Sequence, residues 1–441
     1  MQLPERFRDS RLAILVSVLA AGAMACRSSS AVTVTPVPAT PTARVLQEAT
    51  PGPTPEGDGP SPAGGHRILT LLDSVSAEKL MAHVEALAAI HTRHVNSQGI
   101  GEAATLVRDG FDSAGGRLQV AFDPFPLTFD GLPTTQQNVV ATLPGSDPSA
   151  GVVVVGAHYD SRTVDIDDAS SRAPGADDNA AGVAALLEMA RLLADSTPRA
   201  TIVFIAFSAE EVGTVGSRHY VEAVRQRGDD LRAMMVLDIV GNAVGDTGAG
   251  SIRVFSAPPD GSSSRQIARF VALQGQTYLS DFDVLVQSTV DRPGRYSDHV
   301  PFCDAGIPSV RLIEAVEDTA RQHSGDDLPD TVSPEYLRQA TQLALASLVS
   351  LAEGPPAPPA PTRLPERPDT LTWEPVSGAV GYALDFRAAG GQEIARVVRV
   401  GDVTTLTWDA IGSGRFDAVS VAAIDAEGLM GPLSPELALT P

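Results

Sequence analysis

Cysteine is scarce in this sequence: its 441 residues include only two, Cys26 and Cys303. Two cysteines cannot form the disulfide framework that stabilises small secreted scaffolds. If Cys26 is modified or removed during export, Cys303 has no partner in the chain. We therefore expect Cys303, which follows the apolar run Val300–Phe302, to be a buried structural thiol rather than a nucleophile.

Basic residues are also few, with 32 Lys and Arg against 54 Asp and Glu, and the net charge is -22. Binding of nucleic acid needs clustered Lys and Arg, so this charge argues against a nucleic-acid partner. We interpret the negative charge mainly as a determinant of solubility. The catalytic motifs H-E-x-x-H, G-x-S-x-G and C-x-x-C are absent, so the chemistry has to be sought in another pattern.

The N-terminal apolar run, Leu12–Ala21, is too short to span a bilayer comfortably. Three arginines precede it and small residues follow it, which predicts a signal peptide over residues 1–25 and an exported protein. Residues 23–26, Ala-Met-Ala-Cys, resemble a bacterial lipoprotein cleavage box, although Ala23 stands where that box usually has leucine. The same residues also form a plain A-x-A cleavage site.

Of these two alternatives we favour a lipoprotein anchored at Cys26 in the cell envelope over a soluble secreted protein. The reason is that residues 26–66, rich in Ser, Thr, Pro, Ala and Gly, read as a disordered tether. A second Pro-rich stretch, residues 353–362, predicts a semi-rigid linker. We therefore expect two folded domains, at residues 67–352 and 363–441.

The first domain alternates strand-like and helical patterns. Val152–Val155 and Thr201–Phe207 are continuous apolar runs typical of strands buried on both faces. Helical spacing follows Ser76 and returns at Val183 and again in residues 333–351. This alternation predicts an α/β fold, a three-layer αβα sandwich with a mostly parallel central sheet.

The second domain shows the period-two pattern of short strands, which predicts an all-β sandwich. Leu371-Thr372-Trp373, Tyr382–Phe386 and Val419–Gly428 follow one another as in a fibronectin type III domain, which this region resembles. Phe416 and Asp417 stand where that family usually has its corner tyrosine. The sequence does not identify a partner for this second domain: it could bind a carbohydrate or another protein, or serve only as a spacer.

Histidines and carboxylates gather at the ends of the strands predicted in the first domain. Buried carboxylates are costly unless their charge is compensated, and metal ions are the usual compensation. Two histidines with several carboxylates suit a pair of zinc ions held at roughly 3.5–4 Å, the spacing used to bind a nucleophilic water and a substrate oxygen together. The residues concerned are His158, Asp160, Asp177, Asp178, Glu210, Glu211, Asp238 and His323.

Five blocks that contain these residues resemble, in order, the bacterial di-zinc aminopeptidase family, which is related to the glutamate carboxypeptidases and glutaminyl cyclases. The resemblance covers roughly residues 76–352. The blocks are His158-Tyr159-Asp160-Ser161, Pro174-Gly175-Ala176-Asp177-Asp178-Asn179, Phe207-Ser208-Ala209-Glu210-Glu211-Val212-Gly213, Asp238 and His323.

The resemblance implies a role for each of these residues. His158 and Asp238 would bind one zinc ion, Glu211 and His323 the other, and Asp178, followed by a cis peptide bond, would bridge them. Asp160 would accept a hydrogen bond from the far nitrogen of His158 and fix its tautomer. Glu210 would be the general base that deprotonates the metal-bound water and returns the proton to the leaving amine. From the residues alone, Asp177 is expected to be only a loop or cap residue, and His299 competes with His323 as the last ligand. The resemblance favours His323, because the family uses the Ser-Asp-His block as a supporting element.

The function expected from this resemblance is a zinc-dependent exopeptidase that hydrolyses N-terminal residues of peptides through a metal-bound hydroxide. Two alternatives stay within the fold: a glutaminyl cyclase, which needs one zinc ion, and a carboxypeptidase acting on dipeptides. A third is a catalytically dead cell-surface binding protein whose C-terminal module does the work. Side-chain preference is not encoded, because loops such as residues 281–295 would build the pocket.

Overall fold

The computed structural model describes residues 66–439, and the bounds below refer to this range. The signal peptide, the lipid on Cys26 and the tether predicted for residues 1–66 lie outside it except for His66. Within the described range, no helix combines the length and the apolar character needed to cross a bilayer.

A mixed eight-stranded sheet forms the centre of the first region, in the order β1-β2-β4-β3-β5-β8-β6-β7. The inner strands β4, β3, β5 and β8 are parallel to one another. Three pairs are antiparallel: β1 with β2, β2 with β4, and β6 with β8. The strands are β1 (Gln119–Phe129), β2 (Leu132–Leu143), β3 (Val152–His158), β4 (Thr201–Phe207), β5 (Leu231–Leu237), β6 (Ser251–Ser256), β7 (Asp283–Val286) and β8 (Ser309–Glu314).

Helices cover both faces of this sheet, as the α/β prediction requires. Val153 and Val155 of β3 pack in the same core as α4 and α9, whereas Val154 between them packs with α5 and α8. The period of two therefore explains why the whole run is apolar. The helices are α1 (His66–Asp73), α2 (Ala77–Ala88), α3 (Gly99–Ala114), α4 (Ala181–Leu193), α5 (Val215–Arg227), α6 (Gly245–Ala249), α7 (Ser263–Tyr278), α8 (His299–Asp304) and α9 (Pro334–Glu353).

Two strands of the sheet, β1 and β7, were not predicted. Both lie at its edges. Strand β1 contains Pro124 and Pro126 and is largely half-exposed, so it lacks the apolar run of a buried strand. Strand β7 has only four residues, within the segment predicted to be a loop. Edge strands need less apolar surface, and their sequence signal is correspondingly weak.

The C-terminal region forms two antiparallel sheets, of three strands in the order β13-β10-β9 and of four in the order β12-β11-β14-β15. A shared apolar core that includes Leu371, Trp373 and Phe386 lies between them. The predicted all-β architecture is therefore present, while the resemblance to fibronectin type III stays a prediction. The strands are β9 (Thr362–Leu364), β10 (Arg367–Thr372), β11 (Ala379–Ala388), β12 (Ile394–Val400), β13 (Thr405–Thr407), β14 (Phe416–Asp425) and β15 (Leu437–Ala438).

The outer face of the four-stranded sheet is buried against α7. Gln266 of α7 donates to the Ser420 hydroxyl at 2.5 Å and to the Ser434 carbonyl at 2.8 Å. Arg269, one turn along, is 1% exposed and pairs with Glu436 at 2.7 Å. These polar contacts satisfy groups that the interface removes from water, so the two regions hold a fixed orientation.

Asp385 of β11 gives this interface a pH dependence. Burial, opposed by Arg269 and augmented by Glu436, raises its pKa from the ordinary 3.8 to about 8. Between these values the folded protein keeps a proton that the unfolded chain releases, so stability falls as pH rises. We expect Asp385→Asn to remove this loss, which amounts to at most about 1.4 kcal/mol per pH unit.

Urea unfolding of both proteins at pH 5, 6.5 and 8 measures the effect. The increase in the free energy of unfolding that Asp385→Asn produces should become larger as the pH rises. The exposed Asp409→Asn serves as the control and should show no such trend. A gain that is equal at all three pH values would contradict the assignment.

Candidate metal centre

The predicted site residues meet at the carboxyl ends of the parallel strands. His158 is the last residue of β3, Asp238 follows β5 directly, and Glu210 and Glu211 lie just past the end of β4. Asp178 lies in the turn that leads into α4. In open α/β sheets this edge is where ligands bind, because loops from several strands converge there.

The ligand atoms form two clusters that share Asp178. Its Oδ1 lies 3.2 Å from His158 Nε2, which is 3.3 Å from Asp238 Oδ1. Its Oδ2 lies 3.2 Å from His323 Nε2, which is 3.2 Å from Glu211 Oε2. The two oxygens of one carboxylate therefore face two different groups of donors.

These distances have the size of a metal coordination shell. A tetrahedral zinc ion with bonds of about 2.0–2.1 Å holds neighbouring ligand atoms about 3.3 Å apart. Each cluster offers one imidazole nitrogen and two carboxylate oxygens, and the three ligand atoms of a cluster all lie within 4.8 Å of one another. The donor set is the one that zinc prefers, so the residues present fit a metal ion in each cluster.

The electrostatics of the site also match a cation. Burial lowers the pKa of His158, but the carboxylates of Asp238 and Glu210 outweigh burial and raise it well above 6.5. Burial likewise lowers the pKa of His323, and contacts with Asp178 and Glu211 raise it to about 9. The surrounding carboxylates thus favour positive charge at both rings, and a metal ion would displace these protons on binding.

Glu210 differs from its neighbour Glu211. Burial, together with the nearby charge of Glu211 and Asp238, raises the pKa of Glu210 well above 4.5 despite the opposing effect of His158. Its carboxylate lies near His158 but is not part of the cluster around His323, which Glu211 joins. Glu210 also forms a group of possible ligands with His158 and Glu211, but of the two glutamates only Glu211 joins a cluster that contains Asp178.

Asp160 contacts both His158 and the two glutamates. The group closest to His158 Nδ1 is the backbone carbonyl of Asp160, at 3.2 Å, while the carboxylate oxygen is 3.6 Å away. The carboxylate also accepts the backbone N–H groups of Glu210 and Glu211, at 3.2 and 3.1 Å. Asp160 therefore contacts the imidazole with both its carbonyl and its carboxylate, and its carboxylate also holds the two glutamates in place.

The turn that carries Asp178 is fixed by residues from distant parts of the chain. Asp327 accepts the N–H groups of Asp177 and Asp178 at 2.9 and 3.0 Å. Arg93, which is fully buried, donates to the carbonyls of Pro174 and Gly175. The peptide bond between Asp178 and Asn179 is cis, as predicted.

Gly175 begins this turn with a φ of 53°. A Cβ atom there would lie 2.4 Å from the carbonyl oxygen of Asp178. Both the left-handed backbone and the close approach require glycine.

Arg311 is a central residue of the site that the sequence did not reveal. It lies on β8, is 2% exposed and contacts Asp238 at 3.0 Å and Asp291 at 3.1 Å. Ser297 donates to the same Asp238 oxygen at 2.5 Å. Burial raises the pKa of Asp238, but the charge of Arg311 and the contact with His158 outweigh burial and lower it. In the sequence, Arg311 is a charged residue within an otherwise apolar strand, and this is the one feature from which its role could have been predicted.

Two alternatives among the predicted residues are decided by position. His299 is buried and its ring contacts the Val290 carbonyl at 2.8 Å, so His323, and not His299, joins Asp178 and Glu211. Asp177 is more than a surface loop residue, because it is 7% exposed and accepts the Gly241 N–H at 2.8 Å. Burial and the nearby Asp327 raise its pKa.

Strained backbone is concentrated around the site. Five non-glycine residues of the described range have a positive φ: Asp130, Ala209, Thr214, Ile239 and His323. All but Asp130 are site residues or neighbours of them. Such conformations cost on the order of 1–3 kcal/mol each and cluster at functional sites.

A cavity of about 290 Å³ opens above the clusters. Besides the metal-binding candidates, its lining consists mainly of polar and charged side chains, with Ile239 and Tyr296 as the larger apolar members. Arg292, Gly294 and Arg295 come from the loop that was predicted to build the pocket. The full lining is His158, Arg162, Asp178, Glu210, Glu211, Gly213, Thr214, Arg218, Asp238, Ile239, Arg292, Gly294, Arg295, Tyr296, Arg311 and His323.

Comparison with known proteins gives consistent results. The profile of peptidase family M28 matches residues 138–348. A probable zinc metalloprotease of Leptosphaeria maculans is 32% identical over 338 residues, which cover 67% of this chain and 78% of that protein. A probable zinc metalloprotease of Pyricularia oryzae is 31% identical over 388 residues, covering 76% of this chain and 77% of its own.

Solved structures are similar in fold. LapB of Legionella pneumophila superimposes with a TM-score of 0.55 at 24% identity, over 67% of this chain and 78% of its own. BSAP, a zinc aminopeptidase of Bacillus subtilis, gives 0.51 at 20% identity, over 63% of this chain and 96% of its own. The relatives named here are fungal and the structures bacterial, so the comparisons do not single out the bacterial branch expected from the sequence.

Proposed function

Because this chain belongs to peptidase family M28, we propose that it is a di-zinc exopeptidase that removes N-terminal residues from peptides. The observation that carries the proposal is the position of Asp178, whose two carboxylate oxygens each lie 3.2 Å from a different histidine. One carboxylate between two donor groups is the arrangement that holds two metal ions at close range.

In this proposal the residues of the chain divide the work. His158 and Asp238 would hold one zinc ion, Glu211 and His323 the other, and Asp178 both. When bound, the metal pair would supply Lewis acidity that activates water and polarises the scissile carbonyl.

Glu210 would take the proton of the attacking water on its carboxylate and return it to the leaving amine. Its position supports this role, because its carboxylate lies beside His158 and outside the two clusters that share Asp178, where it would be free to exchange a proton. Asp160 would keep Glu210 and Glu211 in place through their N–H groups.

Metal analysis and a substrate screen test the proposal. Dialysed protein should contain two zinc ions per chain and lose its activity with a chelator. It should hydrolyse aminoacyl-anilides but not their N-acetylated analogues, because the free amine would be recognised near the metal ions. Equal cleavage of the blocked substrates would contradict N-terminal specificity; one zinc ion per chain would favour a glutaminyl cyclase, and none a binding protein.

For localisation we propose export by the signal peptide of residues 1–25 and anchoring by a lipid on Cys26. The proposal depends on the sequence pattern of the N-terminus alone. In cells, Cys26→Ser should move the protein from the membrane fraction to the soluble fraction. An unchanged distribution would contradict the lipid anchor.

A further inference from the structure

Arginines are unusually prominent in the cavity above the metal clusters. Five of its lining residues are Arg162, Arg218, Arg292, Arg295 and Arg311. A cavity that recognised only an apolar side chain and a free amine would have little use for so many guanidinium groups. Which of them are already neutralised decides what the cavity can bind.

Three of the five have carboxylate partners. Arg311 contacts Asp238 and Asp291, and Arg292 contacts Asp291 and Glu317. Arg162 donates to Glu211 at 2.8 Å. These groups therefore support the fold or the metal ligands, and their charge is at least partly balanced.

Arg218 and Arg295 are different. Arg218, at the start of α5, donates through Nε to the Gly213 carbonyl at 3.2 Å and the Thr214 hydroxyl at 3.1 Å. Both of these partners are neutral. No ion pair among residues 66–439 includes Arg218, and its side chain is exposed toward the cavity and solvent.

Arg295, on the loop before α8, donates through Nη2 to the side-chain oxygen of Gln322. That partner is neutral as well. The side-chain amide of Gln322 donates in turn to Glu317, which already pairs with Arg253 and Arg292. Within the described part of the chain, Arg295 has no carboxylate within ion-pair distance.

The charge of the loaded site strengthens this asymmetry. The carboxylates that line the cavity, those of Asp178, Glu210, Glu211 and Asp238, all belong to the metal centre. Two divalent cations would carry as much positive charge as these four carboxylates carry negative charge. Arg218 and Arg295, which form ion pairs with none of the four, would then leave the cavity positive. Guanidinium groups bind carboxylates by paired, charge-assisted hydrogen bonds.

We infer that Arg218 and Arg295 bind a carboxylate of the substrate, so that the enzyme prefers peptides with a negative charge close to the scissile bond. The inference rests on the proposed exopeptidase function and specifies its substrate class. Two sources offer this group: the terminal carboxylate of a dipeptide and the side chain of an acidic residue.

Three substrates of nearly equal shape separate these sources: Leu-Gln, Leu-Gln-amide and Leu-Glu-amide. The first has a terminal carboxylate, the second has none, and the third has one on its side chain. The zinc-loaded protein should show kcat/KM at least about tenfold higher for one of the charged peptides than for Leu-Gln-amide, equivalent to one charge-assisted contact. The preferred peptide identifies the source.

Variants connect this preference to the two arginines. In Arg218→Gln/Arg295→Gln the ratio of kcat/KM for the preferred charged peptide to kcat/KM for Leu-Gln-amide should fall to about one, mainly through a higher KM for the charged peptide. The double Lys variant should retain part of the preference, because it keeps the charge but not the paired geometry. Arg338→Gln, which removes a surface partner of Glu335, is the matched control and should behave as the wild type.

A binding measurement separates failure of this inference from failure of the proposed function. Calorimetry on zinc-loaded Glu210→Gln, where turnover is expected to be about a thousandfold slower, should show tighter binding of the preferred charged peptide than of Leu-Gln-amide. If none of the peptides is hydrolysed by the wild type but this difference persists, the exopeptidase function fails and the carboxylate site stands. If binding and turnover show no preference, or the Gln variant retains it, the inference is wrong.

Discussion

Replacing Glu210 with glutamine is expected to lower kcat about a thousandfold while zinc content and folding stay unchanged. Glutamine keeps the size of the side chain but cannot accept a proton. Positioned general acid–base groups contribute about 10²–10⁴-fold to rate, and here one side chain would serve both proton transfers. Glu210 lies close to His158 and Glu211 but belongs to neither of the two clusters that contain Asp178, so the metal ligands should survive the change.

Steady-state kinetics with an aminoacyl-anilide, beside zinc analysis and circular dichroism, measure this effect. Glu335→Gln, on the exposed first turn of α9, is the control for the chemical change alone and should keep full activity. If Glu210→Gln retains more than about a tenth of the wild-type kcat, a value far outside the range for a general base, the proton-transfer role is wrong.

The second large effect is expected for Asp178→Asn, which should lose metal from both clusters and with it at least about a thousandfold in kcat/KM. The substitution removes the negative charge that faces both His158 and His323 and replaces one oxygen by an amide nitrogen, which is not a zinc ligand in such sites. Because the two oxygens serve different clusters, neither cluster keeps its full set of donors.

His323→Ala provides the informative comparison. It removes a donor from one cluster only, so we expect this variant to keep about one zinc ion per chain, whereas Asp178→Asn should keep well under one. Elemental analysis after dialysis against buffer with a fixed low zinc concentration distinguishes the two. If Asp178→Asn keeps two zinc ions, the bridging role is wrong. Circular dichroism shows whether a loss of zinc comes from unfolding rather than from the lost ligand.

Much of the fold could be predicted from local patterns in the sequence. The run Thr201–Phe207 coincides with β4, and Ser76 caps α2 by accepting the Lys79 N–H. Central strands and capped helices carry their signal in adjacent residues, because burial on both faces demands a continuous apolar run. The edge strands β1 and β7 do not need such a run and were missed.

The candidate ligands could also be predicted, because polar residues at the ends of apolar runs are conspicuous and their order along the chain resembles a known family. His158, Asp178, Glu211, Asp238 and His323 all reach the two clusters. The contacts that orient them could not be predicted in the same way. Arg311, Asp327 and the contacts of the Asp160 carboxylate with the backbone that follows β4 depend on pairings between residues far apart in the chain.

The sequence by itself therefore determined the α/β architecture of the first region, the all-β nature of the second and the identity of the metal-binding candidates. Tertiary structure alone decided that Asp178 lies between two clusters and that His323 rather than His299 completes one of them. It also decided that Arg218 and Arg295 line the cavity with no ion-pair partner among residues 66–439. The physical reason is range: burial and backbone propensity act between neighbouring residues, whereas coordination and charge balance depend on which distant side chains the folded sheet and its loops bring within 3–4 Å.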